Sequence, residues 1–206
     1  MQNIIYIVDD DDFVRASIGR LLQSVGHRIK AFSTAAEFLQ HPFECVPSCL
    51  ILDMNMPMQD GFHVLDTLVS MGNRLPILFL TGFGSIPLSV RAMKAGAAEF
   101  LTKPVSADEL LMAVDNALLK AASSFHHNQE MAEQVQRYQL LTPRERTILE
   151  LAIGGLLNKQ IASELSISEI TAKVHKRRVM EKMQTRTLAD LVRVSERLGI
   201  SSARSR

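Results

Sequence analysis

Short apolar runs alternate with amphipathic segments through the first 120 residues. The apolar runs have the length of buried strands, and they are Ile4–Val8, Arg28–Phe32, Cys49–Leu52, Pro76–Leu80 and Glu99–Leu101. The other segments carry apolar residues at helical spacing, and they are Phe13–Val25, Ala35–Leu39, Phe62–Val69, Leu88–Ala95 and Ala107–Leu119. This alternation predicts a five-stranded parallel sheet with helices on both faces. Such a flavodoxin-like α/β domain binds ligands beyond the C-terminal ends of its strands.

Polar and charged residues follow the predicted strands at this edge. The run Asp9–Asp12 follows the first strand and Asp53 the third, while Thr81 and Lys103 come after the fourth and fifth. Clustered carboxylates repel one another unless a cation neutralises them, and oxygen-rich sites suit magnesium. A carboxylate beside a hydroxyl group and a lysine is suited to phosphoryl transfer. The pattern predicts phosphoryl transfer to Asp53 with magnesium bound, and Lys103 and Thr81 binding the phosphoryl oxygens.

The chain from Thr142 onward has the pattern of four helices. Thr142 followed by Pro143 is typical of a helix start, and Gly154-Gly155 of a helix end. Apolar spacing then predicts helices over Lys159–Leu165, Glu169–Met183 and Thr187–Leu198, with Ser168 capping the second of these three. The sequence therefore predicts an all-α domain behind the α/β domain.

The predicted helix Glu169–Met183 has two contrasting faces. Its inward face is predicted to hold Ala172, His175, Val179 and Met183. Its outward face is predicted to hold Lys173, Lys176, Arg177 and Met180, with Val174 beside them and Arg178 at the flank. A short helix, a tight turn and a helix with a basic outer face are typical of a helix-turn-helix that reads the major groove of DNA.

The charge distribution agrees with two domains that have different partners. The net charge of the 206 residues is +1, but residues 1–122 hold 9 Lys and Arg against 13 Asp and Glu, a net charge of −4. Residues 123–206 hold 14 against 9, a net charge of +5. A basic C-terminal domain behind an acidic one favours nucleic acid as the partner of the second.

The remaining features indicate a cytoplasmic protein with no membrane contact. No apolar run approaches the roughly 20 residues that span a bilayer, and the N-terminus lacks the pattern of an export signal. Cys45 and Cys49 are interpreted as reduced thiols. The polar segment Ala121–Leu141, with solvated His126 and His127, is interpreted as a mostly helical linker. The predicted boundaries are 1–120, 121–140 and 141–206.

The motifs IVDDD, LILDMNMP, LTG and FLTKP, in this order, resemble the signature of two-component response-regulator receiver domains over about residues 3–120. The resemblance implies that Asp53 is the phosphoacceptor and that Asp9, Asp10, Asp53 and the Asn55 carbonyl surround magnesium. It further implies Thr81 as the switch hydroxyl, Phe100 as the switch aromatic and Lys103 as the phosphate-binding lysine. The Lys103–Pro104 peptide is expected to be cis.

The segment LTPRERTILELAIGGLLNKQIASELSISEITAKVHKRR resembles the DNA-binding domain of the LuxR/NarL/FixJ class. The resemblance implies base-edge contacts by Lys173, Val174 and Arg177. The positions expected to contact phosphates or brace the helix are Asn158, Lys159, Thr171, His175 and Arg178. Lys176 is a further predicted DNA-binding residue. Ala172 stands where the class usually has valine, a small change on the core side.

The combined resemblance implies a transcriptional regulator under phosphorylation control. A sensor histidine kinase would phosphorylate Asp53, and the surface 86–119 would then form a homodimer that binds double-stranded DNA and contacts RNA polymerase. One departure concerns Phe83, because FixJ-like members often have histidine there. The lifetime of the phosphoryl group depends on this position in the family, but Phe83 packing on its loop is an equally good interpretation.

Two other functions are weighed against this one. A phospho-aspartyl phosphatase generally has a second aspartate two residues after its nucleophile, where this chain has Asn55, which cannot act as a general acid. The sequence therefore predicts that the protein is not an enzyme of this type. The second alternative keeps the DNA-binding domain but makes it constitutive or ligand-controlled. The complete acidic pocket argues against it.

Overall fold

A computed structural model describes residues 3–56 and 59–203. Pro57, the last residue of the LILDMNMP motif, lies outside these ranges. The strands of the described residues are β1 (Ile4–Val8), β2 (Arg28–Phe32), β3 (Ser48–Asp53), β4 (Asn55–Met56), β5 (Gln59–Asp60), β6 (Ile77–Thr81) and β7 (Glu99–Thr102). The helices are α1 (Asp12–Ser24), α2 (Ala35–Gln40), α3 (Gly61–Ser70), α4 (Ile86–Lys94), α5 (Ala107–Gln139), α6 (Pro143–Ile153), α7 (Asn158–Glu164), α8 (Glu169–Lys182) and α9 (Leu188–Arg197).

The chain divides into two compact units, Met1–His126 and His127–Arg206. The first contains a five-stranded sheet in the order β2-β1-β3-β6-β7, and all of its pairings are parallel. This confirms the predicted five-stranded parallel sheet. The chain order reverses between β1 and β3, so the sheet has a switch point at their C-terminal ends, next to Asp9 and Asp53.

The central strands are buried on both faces because helices cover both sides. On one face, alternate residues such as Tyr6, Leu50 and Phe79 pack in a cluster that includes Phe38 and Val64 from α2 and α3. On the other face, the intervening residues pack against α1 and α5, and they include Ile5, Ile7, Ile51, Leu78 and Leu80. This two-sided burial explains why the strands read as continuous apolar runs rather than alternating ones.

Two short strands were not predicted. β4 and β5 form an antiparallel pair in which Asn55 lies opposite Asp60. Each has only two residues and no apolar run, so periodicity gave no signal for them. Asp60 also caps α3, since its carboxylate accepts a hydrogen bond from the Phe62 amide at 3.1 Å. The hairpin begins two residues after Asp53 and leads the chain into α3.

The second unit contains the four predicted helices. Thr142 caps α6 in a reciprocal capping box with Glu145, and Ser168 caps α8. Both caps confirm the predicted helix starts. Ala172, Val179 and Met183 of α8 are buried as expected in the cluster that joins the four helices. Met180, predicted on the outward face, lines one depression with Lys173, Lys176 and Arg177 and also packs partly against this core.

The segment predicted as a mostly helical linker is helical through Gln139, since α5 begins at Ala107 and ends there. His126 and His127 therefore lie within a helix, and the division between the two units falls between them. The predicted boundaries at residues 120 and 140 stay predictions. None of the helices in the described ranges combines the length and the apolar character that a bilayer crossing requires.

Candidate functional site

The C-terminal ends of β1, β3, β6 and β7 bring an acidic cluster, a hydroxyl group and a lysine together. Asp9 and Asp53 are buried, whereas Asp10 is exposed at the edge of the cluster. One carboxylate oxygen from each of these three residues lies within 4.8 Å of the others. The spacing and the all-oxygen donor set fit a hard divalent cation such as magnesium. Asn55 follows at the start of β4, beside this cluster in the chain.

Lys103 brings a positively charged side chain into the pocket. Its Nζ donates a hydrogen bond to Asp9 Oδ2 at 2.7 Å and lies 3.3 Å from Asp53 Oδ1. The Lys103–Pro104 peptide is cis, as expected. The Lys103 amide donates to the Thr81 carbonyl at 2.7 Å, which ties the end of β7 to the end of β6. The ammonium group thus bridges the two buried carboxylates.

Burial and the neighbouring charges determine protonation in this pocket. Burial raises the pKa of Asp53, and the negative charge of Asp9 raises it further, while Lys103 opposes both. Burial lowers the pKa of Lys103, but its contacts with Asp9 and Asp53 outweigh this and raise the pKa overall. The ion pairing therefore stabilises the charged form of Lys103 more than the charged form of Asp53, because Lys103 lies closer to Asp9 than to Asp53.

Thr81 is the last residue of β6 and is fully buried. Its Oγ1 accepts a hydrogen bond from the Phe83 amide at 3.1 Å and one from the Asn55 side-chain amide at 3.4 Å. Phe83 itself is exposed, so its side chain does not pack into the fold. Phe100 is half-buried against the sheet core. The position of Thr81 at a strand end predicted that it lies at the pocket, but its two hydrogen bonds were not predicted.

Arg15 is a pocket residue that sequence analysis missed. Its guanidinium donates to the Asp9 carbonyl at 2.6 Å and forms an ion pair with Asp12. Asp11 caps α1 through the Phe13 and Val14 amides, and this cap sets the start of the helix that carries Arg15. The sequence did contain a sign of this ion pair: Asp12 and Arg15 are three residues apart on one helix, and side chains at that spacing are neighbours.

A second candidate site lies on the basic side of the C-terminal unit. Lys173, Arg177 and Arg178 of α8 are exposed, as are Thr171 and Val174, while Lys176 and His175 are half-buried. Asn158 at the start of α7 lines one shallow depression together with Lys173, Lys176 and Arg177. Lys159 is exposed beside Asn158. The fold thus places four of the nine predicted DNA-facing residues around one depression.

One ion pair and one unpartnered polar atom mark this surface. The Arg177 guanidinium pairs with Glu181 at 2.7 Å, one helical turn further along α8. Within the described ranges, the Nδ1 atom of His175 is buried without a hydrogen-bond partner. His175 was predicted on the inward face, and its half-buried position agrees with that prediction. Its expected role toward phosphates stays a prediction.

Comparison with known proteins identifies both domains. Residues 5–115 match the family described as "Response regulator receiver domain", and residues 139–195 match "Bacterial regulatory proteins, luxR family". The chain belongs to the response regulators that carry a luxR-type DNA-binding domain. The relatives of this chain include a transcriptional regulatory protein, which agrees with the prediction against a phospho-aspartyl phosphatase.

Individual relatives match this response regulator over almost its whole length. It is 43% identical over 197 residues to "Response regulator protein TmoT" of Ectopseudomonas mendocina, which covers 96% of this chain and 90% of that protein. It is 38% identical over 196 residues to "Transcriptional regulatory protein FixJ" of Bradyrhizobium diazoefficiens, covering 95% and 96%. The solved structure of the response regulator StyR superposes with a TM-score of 0.86 at 41% identity, covering 95% of this chain and 99% of that one.

Proposed function

We propose that this response regulator is switched on by phosphorylation of Asp53 and then dimerises and binds specific DNA sequences. The observation that carries the proposal is the pocket geometry: Lys103 bridges the buried carboxylates of Asp9 and Asp53 beside the buried Thr81 hydroxyl. A lysine within 3.3 Å of the carboxylates, with a hydroxyl group at the neighbouring strand end, forms a binding site for a phosphoryl group on Asp53. The luxR-type domain supplies the DNA-binding output.

The phosphoryl donor is a phosphohistidine of a sensor kinase. An Asp53 carboxylate oxygen attacks the phosphorus atom, the bond between phosphorus and the histidine nitrogen breaks, and that nitrogen keeps the electron pair. Lys103 binds a phosphoryl oxygen in place of one of its carboxylate contacts. Asp9, Asp10, Asp53 and the Asn55 carbonyl would hold the magnesium ion, which neutralises the charges of the carboxylates and the phosphoryl group when it is bound.

The added charge changes the hydrogen bonds of the pocket. A phosphoryl group brings close to two negative charges, and the Thr81 hydroxyl then donates to it instead of only accepting from Phe83 and Asn55. Phe100 rotates into the space that Thr81 leaves. Between 86 and 119 the exposed apolar residues that support a dimer surface are Ile86, Val90, Met93, Met112 and Leu119. The DNA-bound dimer then contacts RNA polymerase.

The decisive experiment measures mass and DNA binding of the full chain with acetyl phosphate and magnesium. The wild type is expected to change from monomer to dimer and to bind selected DNA more tightly, whereas Asp53→Asn does neither. Asp66→Asn is the matched control, since Asp66 is an exposed aspartate on α3 outside the pocket. It should respond like the wild type. Equal dimerisation and affinity in Asp53→Asn would instead favour the constitutive or ligand-controlled regulator.

A further inference from the structure

The outermost side of α8 carries two exposed apolar side chains. Ile170 is 77% exposed and Val174 is 44% exposed, whereas Ala172 and Val179 are fully buried in the core. At 100° per residue, Ile170, Val174 and Arg177 fall on the side of the helix opposite these two buried residues. Ile170 and Val174 are four residues apart, so they are neighbours on the helix surface. They form one apolar strip that points away from the rest of the unit.

Among the described residues of this unit, no packing contact explains the strip. Branched side chains lose rotamer freedom in a helix, and at exposed positions no burial compensates for that loss. Alanine, lysine or glutamate would stabilise an exposed helix surface better. The strip therefore has a cost for the free protein. That cost is offset if a binding partner covers Ile170 and Val174.

The charges around the strip identify the chemistry of this partner. Lys173 and Arg177 flank the strip and are exposed, and Lys176 contributes to the same basic side of α8. The partner must therefore offer negative charge and a small apolar group within the width of one helix. The major groove of DNA has both, because phosphates line its edges and each thymine presents its 5-methyl group on its floor. No other base presents an apolar group there.

We infer that Ile170, together with Val174, reads thymine methyl groups in the major groove and so determines part of the target sequence. The inference rests on the proposed insertion of α8 into the groove. Ile170 is the second residue of α8, and the N-terminal residues of a reading helix are those that contact base edges. Ile170 thereby joins Lys173, Val174 and Arg177 as a specificity-determining residue, with an apolar rather than a hydrogen-bonding contact.

The experiment removes single methyl groups from the DNA. The full chain, activated with acetyl phosphate and magnesium, selects binding sites from a random duplex pool. Each thymidine of a selected site is then replaced in turn by deoxyuridine, which lacks only the 5-methyl group. One buried methyl group corresponds to about a fourfold change in Kd, so the wild type should lose about fourfold affinity at the thymidine that Ile170 contacts. In Ile170→Ala this loss should disappear at that position and persist at the others.

Two control variants test whether the effect belongs to Ile170 alone. Val174→Ala should abolish the deoxyuridine effect at a neighbouring thymidine and retain the effect at the one assigned to Ile170. Leu140→Ala removes a leucine that is 68% exposed in the same unit but outside α8, and it should retain every effect. Because Ile170 and Leu140 are exposed, neither variant should have a thermal midpoint below that of the wild type, which circular dichroism checks.

The outcomes separate this inference from the proposed function. Deoxyuridine effects that are the same in the wild type and in Ile170→Ala overturn the inference while leaving DNA binding intact. A wild type that binds selected sites with no deoxyuridine effect at any position overturns it as well. A wild type that enriches no sequence from the pool contradicts the proposed function itself, and the inference falls with it.

Discussion

Asp53 is held in a pocket that disfavours its negative charge, although a lysine lies beside it. Its pKa is raised by burial and by Asp9, and Lys103 offsets only part of this effect. Lys103 lies closer to Asp9 than to Asp53, at 2.7 Å against 3.3 Å. In the proposed function, a phosphoryl group on Asp53 takes the place of the longer of these two contacts, while Lys103 stays bound to Asp9.

Replacing Lys103 tests this balance. In Lys103→Met without divalent cation, the pKa of Asp53 should rise above its wild-type value, because the positive charge that opposes burial and Asp9 is removed. Carbon-13 NMR titration of the aspartate carboxyl groups measures it. Lys94→Met removes an exposed lysine at the end of α4 and should leave the Asp53 titration unchanged. An Asp53 pKa that falls or stays the same in Lys103→Met would contradict the account.

Glu145 joins two helices of the C-terminal unit. It is 4% exposed, accepts a hydrogen bond from the Thr142 amide at 2.9 Å and pairs with Lys182 of α8 at 2.7 Å. Burial alone raises the pKa of Glu145, but Lys182 and Thr142 outweigh burial and lower the pKa overall. The capping box at the start of α6 is therefore also a tertiary contact between α6 and the end of α8.

Glu145→Gln should reduce the free energy of unfolding of this unit by about 1–2 kcal/mol, because a charge-assisted hydrogen bond becomes a neutral one. The folded pKa lies below the ordinary value of 4.5, so the contribution of Glu145 is present above that pH and is lost as the pH falls through the folded pKa. The difference between the variant and the wild type should therefore shrink in acid. Hydrogen exchange of the α6 and α8 amides, corrected for intrinsic rates, measures it.

Glu133→Gln is the matched control for this prediction. Glu133 pairs with Arg137 at 3.0 Å on α5, but its side chain is 55% exposed. Exposed pairs of this kind contribute roughly 0–1 kcal/mol. A loss in Glu133→Gln as large as that in Glu145→Gln would mean that burial of Glu145 does not strengthen its contacts.

The start of α3 depends on close approach at Gly61. A Cβ atom at Gly61 would lie 2.9 Å from the ring of the buried Phe79 and 3.3 Å from the Asp53 carbonyl. Gly61→Ala should therefore reduce the free energy of unfolding of the first unit by about 2 kcal/mol, as overpacking does. Gly82→Ala is the control, because a Cβ atom there meets nothing within 4 Å. Chemical denaturation measures both, and equal stability of the two variants would refute the steric argument.

At the scale of the whole molecule, an acidic N-terminal part is joined to a basic C-terminal part, with net charges of −4 for residues 1–122 and +5 for residues 123–206. This asymmetry matches the location of the two candidate sites. The carboxylate pocket lies in the first unit, and the exposed Lys and Arg of α8 lie in the second. The two candidate sites therefore lie in parts of the chain with opposite net charge.

Two substitutions separate general from sequence-specific DNA binding. Lys159→Ala should weaken binding to every sequence and reduce the slope of log K against log salt by about 1, because one phosphate contact is lost. Arg177→Ala should relax the preference for one base position. Titrations of selected and scrambled duplexes at several salt concentrations distinguish them. Identical behaviour of the two variants would contradict the assignment of Lys159 to phosphate and Arg177 to a base.

Local patterns in the sequence predicted most of the helices and strands and most of the candidate site residues, but not the β4–β5 pair or Arg15. The apolar runs predicted the five parallel strands, and Thr142 and Ser168 marked two helix starts, because strand burial and helix capping depend on residues close in the chain. The rule that ligands bind beyond the strand ends was enough to collect Asp9, Asp53 and Lys103 into one predicted pocket.

Only the tertiary structure decided which of these side chains touch. The bond from Lys103 to Asp9 joins residues 94 positions apart, and the pair Glu145–Lys182 spans 37 positions. The packing of Met180 against the core and the exposure of Ile170 likewise depend on neighbouring helices. Contacts at such separations are set by the way in which whole elements pack, and helical or strand periodicity carries no information about their distances.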